Sequence, residues 1–115
     1  MTTATFYTLG ERITGFTVAG HSGYAPAGTD IVCAAVTSAV RLTECAINEV
    51  LGLEASVRVR QRDALISLRL PGGLSQQNES TCQTLLAALM VYLAELREEY
   101  PESLMVVEEE STAAP

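Results

Sequence analysis

Residues 3–19, TATFYTLGERITGFTVA, indicate how the fold begins. Residues 3–8 and 12–19 alternate in polarity and are rich in β-branched and aromatic types, which favour strands. Gly10 and Glu11 interrupt the pattern as a tight turn does, so the stretch predicts a β-hairpin. The ten residues that follow, 20–29, contain three glycines and a proline and predict a loop.

The remainder of the chain predicts two helices and three more strands. Asp30 is a candidate N-cap for an apolar helical pattern over residues 31–51, which Gly52 is placed to end. Residues 55–61 and 64–70 predict a second hairpin, with Val57 and Val59 facing the core. A second helix over residues 79–99 and a strand over 104–107 complete the pattern. The apolar stripe of the second helix consists of Cys82, Leu85, Leu86, Leu89, Leu93 and Leu96.

The element order ββαββαβ favours an α+β fold. Two helices on one face of a mainly antiparallel sheet form a two-layer sandwich, which is the simplest way to bury both helical stripes. The length of 115 residues suits one domain, which we expect over residues 1–108. Residues 109–115 are acidic or small, and we expect them to form a disordered tail.

Composition and charge exclude several classes of protein. A net charge of -7 argues against nucleic-acid binding and suits a basic partner. The alternative is that the acidic surface only keeps the protein soluble. No uninterrupted run of about 18 apolar residues predicts a membrane span, and no secretory signal is visible. Three widely spaced cysteines fit neither a disulfide framework nor a zinc site, and they indicate reduced thiols in the cytoplasm.

A candidate site lies in residues 20–36, GHSGYAPAGTDIVCAAV. If Asp30 is the N-cap, Cys33 is the third helical residue, where unpaired N–H groups and the helix dipole stabilise a thiolate. The carboxylate of Asp30 opposes that effect. A helical wheel separates Cys33 from the predicted core arc, which consists of Val32, Val36, Ala39, Thr43, Ile47 and Val50.

His21 is the single histidine of the chain and follows the second predicted strand. The loop can bring it back over the helix start, and a Cys–His pair within hydrogen-bond reach is the minimal activated thiol nucleophile. The glycines Gly20, Gly23 and Gly28 permit backbone shapes that close a loop over a peptide or expose N–H groups to an oxyanion.

Each of these residues also has an ordinary structural interpretation. A cysteine in a helix is usually filler, a single histidine is usually structural, and Asp30 needs no role beyond capping. Cys45 has no predicted role. Two other functions therefore stay open: a binding module that holds a peptide with residues 20–30 without cutting it, and a redox-sensing or purely structural α+β domain.

The strings GH at 20–21 and DIVCA at 30–34, with Gly28 between them, resemble the signature of the ribosomal-processing cysteine proteases. The family pattern is roughly G-H-x6-G-x-D-I-V-C-A, followed by a small residue and a serine. The interval of twelve positions from His21 to Cys33 matches it. The order ββαββαβ is similar to the family fold over nearly the whole chain.

The resemblance implies a bacterial homodimer that removes the N-terminal extension of a large-subunit ribosomal protein, number twenty-seven, during ribosome assembly. It implies Cys33 as nucleophile and His21 as general base and acid, with no metal or cofactor and no nucleic-acid or membrane partner. Asp30 matches a family aspartate with a capping or orienting role, and Ser38 matches a family serine. The residues that it suggests as a substrate loop are Gly20, Ser22, Gly23, Tyr24 and Gly28.

Overall fold

The computed structural model describes residues 1–20, 27–62 and 64–111, with residues 27–30 described through their backbone, and these ranges contain five strands and two long helices. The elements are β1 (Thr2–Leu9), β2 (Arg12–Ala19), α1 (Ala27–Glu44), a π-helical segment (Cys45–Val50) that continues α1, β3 (Ser56–Arg60), β4 (Leu65–Arg69), α2 (Gln76–Glu99) and β5 (Leu104–Glu110). The predicted order ββαββαβ is confirmed.

The strands form one sheet in the order β3-β4-β2-β1-β5. Neighbouring strands are antiparallel except β1 and β5, which are parallel. In the first hairpin Phe6 pairs with Phe16, and their ring centroids lie 5.9 Å apart. Both predicted hairpins and the mainly antiparallel sheet are therefore confirmed.

The two helices cover the same face of the sheet. Along β1, Thr2, Ala4 and Phe6 are buried, whereas Thr3 and Thr5 on the other face are half-buried. Buried side chains of the strands and of both helices form one cluster, as a two-layer α+β sandwich requires. The largest fully buried side chains of this core are Phe6, Phe16, Ile47, Leu86, Leu93 and Leu104.

The start of α2 is fixed by a cap and by contacts with β2. Ser75 accepts a hydrogen bond from a first-turn N–H at 3.1 Å, so α2 begins three residues before the predicted residue 79. Arg12 Nε donates to a Glu79 carboxylate oxygen at 2.6 Å, and the Gln83 amide pairs with the N–H and C=O of Ile13 at 2.7 and 2.8 Å. The predicted stripe is confirmed, with Leu85 half-buried and the others buried: Cys82, Leu86, Leu89, Leu93 and Leu96.

α1 begins at Ala27, earlier than the sequence predicts, so Asp30 is not its N-cap. Asp30 is the fourth residue of the helix, and Gly28, predicted to lie in a loop, is the second. Aspartate is favoured throughout the first turn because its negative charge complements the positive end of the helix dipole. The same residue type therefore fits a cap and a first turn, and the prediction starts the helix four residues late.

The last part of this helix departs from α-helical geometry. In the π-helical segment the N–H of Leu51 donates to the C=O of Ala46, five residues earlier, at 3.0 Å. A wider turn shifts the phase of the helical wheel, so Val50, predicted to be buried, is 78% exposed. The predicted residue Ala39 is half-buried against the core. The buried residues of the helix are Val32, Val36, Val40, Thr43 and Ile47.

The edge strand β3 is more exposed than its alternating sequence predicts. Val57 and Val59 pair with Leu68 and Ile66 and so lie on the core face of the sheet, as predicted. They are nevertheless 37% and 61% exposed, so neither is buried in the core. β3 lies at the outer end of the sheet, whereas α2 packs against β2 and β5. An alternating pattern distinguishes the two faces of a strand, but it does not show whether a second layer covers either face.

The last strand, β5, is longer than predicted. Glu109 and Glu110 pair in parallel with Tyr7 and Thr8, and the N–H of Ser111 donates to the Thr8 C=O at 2.6 Å. Residues 109 and 110 therefore belong to the sheet and not to the predicted tail, because backbone pairing at an edge does not require apolar side chains. Residues 112–115 of that tail lie outside the described residues.

The helix formed by α1 and its π-helical continuation is strongly apolar. By length and composition alone, Ile31–Val50 is the one helical stretch among the described residues that could cross a membrane, with a mean hydropathy of 1.3. Thr37, Arg41 and Glu44 interrupt it, so the sequence contains no continuous apolar run. Although only 28% of the stretch is buried, its buried side chains belong to the sheet's core, which makes it the core helix of this domain.

Substitution of Gly15 should weaken the sheet between β2 and β4. A Cβ atom at this residue would lie 2.2 Å from the backbone oxygen of Leu68, so Gly15→Ala forces the two strands apart. We expect the free energy of unfolding, measured by urea denaturation, to fall by about 2 kcal/mol or more. Gly72→Ala is the control, because a Cβ there meets nothing within 4 Å. Equal stabilities of the two variants would contradict this account.

Candidate active site

Cys33 is a half-buried residue of α1. It is the seventh residue of the helix and not the third, because α1 begins at Ala27. The dipole effect falls off within the first turn, and a residue this far along bonds its N–H to the carbonyl four residues earlier. The prediction that Cys33 is the third helical residue is therefore wrong. Its partial exposure separates it from the fully buried Val32, as the helical wheel predicts.

The Cys33 sulfur lies beside the first residue of β1. Its distance to the Thr2 Oγ1 is 3.7 Å, and the Thr2 hydroxyl donates a hydrogen bond to the C=O of Gly20 at 3.2 Å. Thr2 is only 4% exposed, so water has little access to its hydroxyl. These two contacts bring the sulfur close to the residue that immediately precedes His21.

Gly20 ends β2 in a conformation that requires glycine. Its φ is +93°, which L-residues with a side chain rarely adopt, and a Cβ atom there would lie 2.6 Å from the Met1 C=O. The extended backbone of β2 therefore ends at Gly20. This gives a structural reason for one of the glycines singled out in the sequence.

Several predicted site residues lie outside the described residues, namely His21, Ser22, Gly23 and Tyr24. For Asp30 and Gly28 the backbone alone is described, and both belong to α1. The pairing of His21 with Cys33 therefore stays a prediction. The expected place of Gly28 in a substrate loop is wrong, because the helix begins one residue before it.

Ser38 does not lie beside Cys33. Five residues further along α1, it is rotated by about 140° around the helix axis. It is exposed and lines a groove of about 510 Å³ between α1 and α2, which Cys33 does not line. The apolar residues around this groove include Ala35, Ala39, Leu42, Leu85, Leu89 and Tyr92.

The other two cysteines have different environments. Cys45 is exposed in the π-helical segment, and Cys82 is fully buried on α2, where the sequence predicts a core residue. Burial raises the pKa of the Cys82 thiol, and the nearby Glu79 carboxylate raises it further, while the Arg12 guanidinium lowers it. Cys82 is thus a protonated core residue at neutral pH, and Cys33 is the half-buried thiol beside a polar partner.

The described parts of the chain contain no group of three or more histidine, cysteine, aspartate or glutamate side chains that could hold a metal ion. The polar contact of Cys33 that the structure describes is with Thr2. A hydroxyl in this place can exchange hydrogen bonds with the thiol.

Thr2 is the site residue that the sequence analysis missed. The predicted hairpin turn at residues 10–11 already implies that the start of β1 lies beside the end of β2, and the register pairs Thr3 with Ala19. That signal places Thr2 near Gly20. The approach of Cys33 depends on how α1 packs across the sheet, which local sequence patterns do not specify.

Residues 1–105 match the model of the family described as Cysteine protease Prp. The ribosomal processing cysteine protease Prp of Bacillus subtilis (strain 168) is 27% identical over 96 residues, which make up 84% of this chain and 86% of that protein. The match extends from β1 into the start of β5, so it includes both Thr2 and Cys33.

Two solved structures share the fold. SMU.848 from Streptococcus mutans has a TM-score of 0.84 at 23% identity, covering 96% of both chains. An essential ribosomal processing protease Prp from S. aureus, in complex with a substrate peptide, has a TM-score of 0.81 at 21% identity and covers 95% of this chain and 100% of that one. These similarities confirm the two-layer α+β architecture.

Alkylation should distinguish Cys82 from an exposed thiol. At pH 7.5, iodoacetamide should modify Cys45 in the folded protein and leave Cys82 unmodified, because burial and Glu79 keep its thiol neutral. In about 6 M urea both should react at similar rates, as seen by mass spectrometry of tryptic peptides. Rapid modification of Cys82 in the folded protein would show that the α2 stripe opens to solvent.

Proposed function

Because the chain belongs to the Prp family of cysteine proteases, we propose that it removes the N-terminal extension of a large-subunit ribosomal protein, number twenty-seven, during ribosome assembly. It is a cysteine protease of the ribosomal-processing family. The proposal concerns the particular substrate and the residues that act on it, with Cys33 as nucleophile and His21 as general base and acid.

The observation that carries the proposal is the contact of Cys33 with Thr2, which is itself bonded to the residue after β2. The Cys33 sulfur is 3.7 Å from the Thr2 Oγ1, which is itself bonded to the Gly20 C=O. Consecutive Cα atoms are about 3.8 Å apart, so the chain at His21 begins close to this cluster. The proposed role of the His21 imidazole is to accept the thiol proton.

The proposed reaction proceeds in two stages. The Cys33 thiolate attacks the scissile carbonyl carbon, and the imidazolium of His21 gives its proton to the departing amine, which leaves a thioester. His21 then takes a proton from water, whose oxygen attacks the thioester, and the carboxylate product leaves as the Cys33 thiol is restored. Unpaired N–H groups at the first turn of α1, or in the segment before it, would hold the oxyanion.

Asp30 is proposed as an orienting residue for this site. It precedes Cys33 by three positions in the same helix, and residues at that spacing are neighbours on a helix surface. This replaces the capping role, which the start of α1 at Ala27 contradicts.

Charge and redox state favour a basic partner in the cytoplasm. The net charge of -7 attracts a basic ribosomal protein and raises the encounter rate through long-range steering. All three cysteines are free, which suits a reducing compartment. The named relatives support the substrate class, since one is a ribosomal processing protease and another is bound to a substrate peptide.

A homodimer is the proposed assembly, with the groove between α1 and α2 as the contact. Leu42 is 72% exposed and Tyr92 is 46% exposed, and both line this groove. Contact with a second copy would cover apolar surface that a monomer leaves in water.

Incubation with the extended ribosomal protein is the decisive test of the substrate. We expect one truncated product by mass spectrometry, with its rate reduced at least about 1000-fold in Cys33→Ala and in His21→Ala. Cys45→Ala, which removes an exposed thiol elsewhere, should retain full activity. Cys33→Ala should still bind the extension peptide. An intact substrate with the wild-type protein, despite tight binding, would favour a peptide-binding module instead.

The proposed dimer contact is tested by charging the groove. Leu42→Glu should convert the dimer to a monomer in sedimentation velocity, because a buried carboxylate in an apolar contact is costly. Val59→Glu is the control, since Val59 is similarly exposed at 61% on the edge strand β3, outside the groove. A monomeric wild-type protein, or equal behaviour of the two variants, would contradict the proposal.

A further inference from the structure

We propose that Thr2 is a positioning residue for the Cys33 sulfur, and that its hydroxyl changes hydrogen-bond partner when the thiol ionises. The proposal deepens the role of Cys33 as nucleophile and rests on that proposed function. It starts from the placement of one buried hydroxyl between the sulfur and the end of β2.

The resting arrangement is a chain of two hydrogen bonds. The hydroxyl of Thr2 has one hydrogen, which it donates to the Gly20 C=O at 3.2 Å. The contact with Cys33 at 3.7 Å must then use the S–H as donor and the hydroxyl oxygen as acceptor. In this state the thiol proton is directed at Thr2.

The backbone holds the hydroxyl oxygen in place. The N–H of Thr2 donates to the Ser103 C=O at 3.0 Å, and Thr2 pairs with Leu104 of β5. Its side chain is 4% exposed on the helix-covered face of the sheet. The Thr2 oxygen therefore stays in place if the sulfur moves. Rotation about the C–O bond can direct its hydrogen either to the Gly20 C=O or to the Cys33 sulfur.

Ionisation reverses the direction of the sulfur contact. When the thiol proton leaves for the proposed base, His21, the thiolate can only accept, and the Thr2 hydroxyl turns to donate to it while keeping its own proton. Hydrogen bonds to charged acceptors are roughly twice as strong as neutral ones. Because Gly20 is half-exposed, water can replace the lost donor at its C=O. The exchange therefore favours the thiolate and keeps the sulfur beside β1.

The test compares Thr2→Val, which keeps the shape but lacks the hydroxyl, with Thr2→Ser, which keeps the hydroxyl. The rate at which iodoacetamide modifies Cys33, measured by peptide mass spectrometry, reports the reactivity of its thiolate without any protein substrate. At pH 7, Thr2→Val should react about two- to threefold more slowly than wild type. At pH 10, Thr2→Val should react at least as fast as wild type. Thr2→Ser should match wild type at both pH values.

Other titratable groups cancel in this comparison. The Met1 amino group, His21 and Asp30 belong to the segments next to Cys33 and are unchanged in every variant. On the ribosomal substrate, Thr2→Val should lower kcat about tenfold with KM within twofold, since misplacement of a nucleophile affects the chemical step. Thr2→Ser should restore kcat to within about threefold.

The outcomes separate this proposal from the proposed function. Equal alkylation rates of Cys33 in Thr2→Val and wild type at both pH values overturn the role of Thr2. A variant that reacts more slowly by the same factor at both pH values also overturns it, because that result indicates a steric effect. If no ribosomal substrate is cleaved by wild type while the pH-dependent slowing is observed, the substrate assignment fails and the role of Thr2 stands. Should Thr2→Val not fold, Thr2→Ala removes the same hydroxyl and is read in the same way.

Discussion

The register of the β1–β2 hairpin is the constraint on which the remaining structure depends. Phe6 and Phe16 lie opposite each other and are both fully buried. A slip of one residue would move every side chain of a strand to its other face, exposing an aromatic core residue to water. The register is thus strongly specified, and it sets Thr2 on the helix-covered face, beside the end of β2.

The helix layer then determines which residue meets that position. The full burial of Val32 and Val36 sets the rotation of α1 over the sheet, and Cys33 adjoins the first of them in sequence. The sulfur is consequently placed by packing of its apolar neighbours, while a hydroxyl on β1 supplies its polar contact. Core packing and the candidate active site are therefore parts of the same interface between the sheet and α1.

Much of the fold follows from local patterns, whereas its exceptions arise from contacts between distant segments. The bounds of β2 agree with prediction, because alternation and a glycine turn are both local signals. Asp30 suits a cap or a first turn equally, so the sequence leaves the start of α1 ambiguous. A π-helical segment has no simple sequence pattern, so the exposure of Val50 could not be predicted. The Cys33 position was identifiable from a motif. The contact of Thr2 with Cys33 has no local signal in the sequence, since 31 residues separate the two.

The parallel pairing of β1 with β5 joins the first and fifth strands of the sheet. Thr2 is held by Ser103, and the strand that follows Ser103 is the last one of the sheet. During synthesis, about a hundred residues are added after Thr2 before Ser103 can accept its hydrogen bond. Pairing between segments so far apart in sequence forms late in folding. A chain still emerging from the ribosome therefore has its cysteine but lacks the framework that holds it. The support of Thr2 therefore depends on a strand that is translated well after the cysteine.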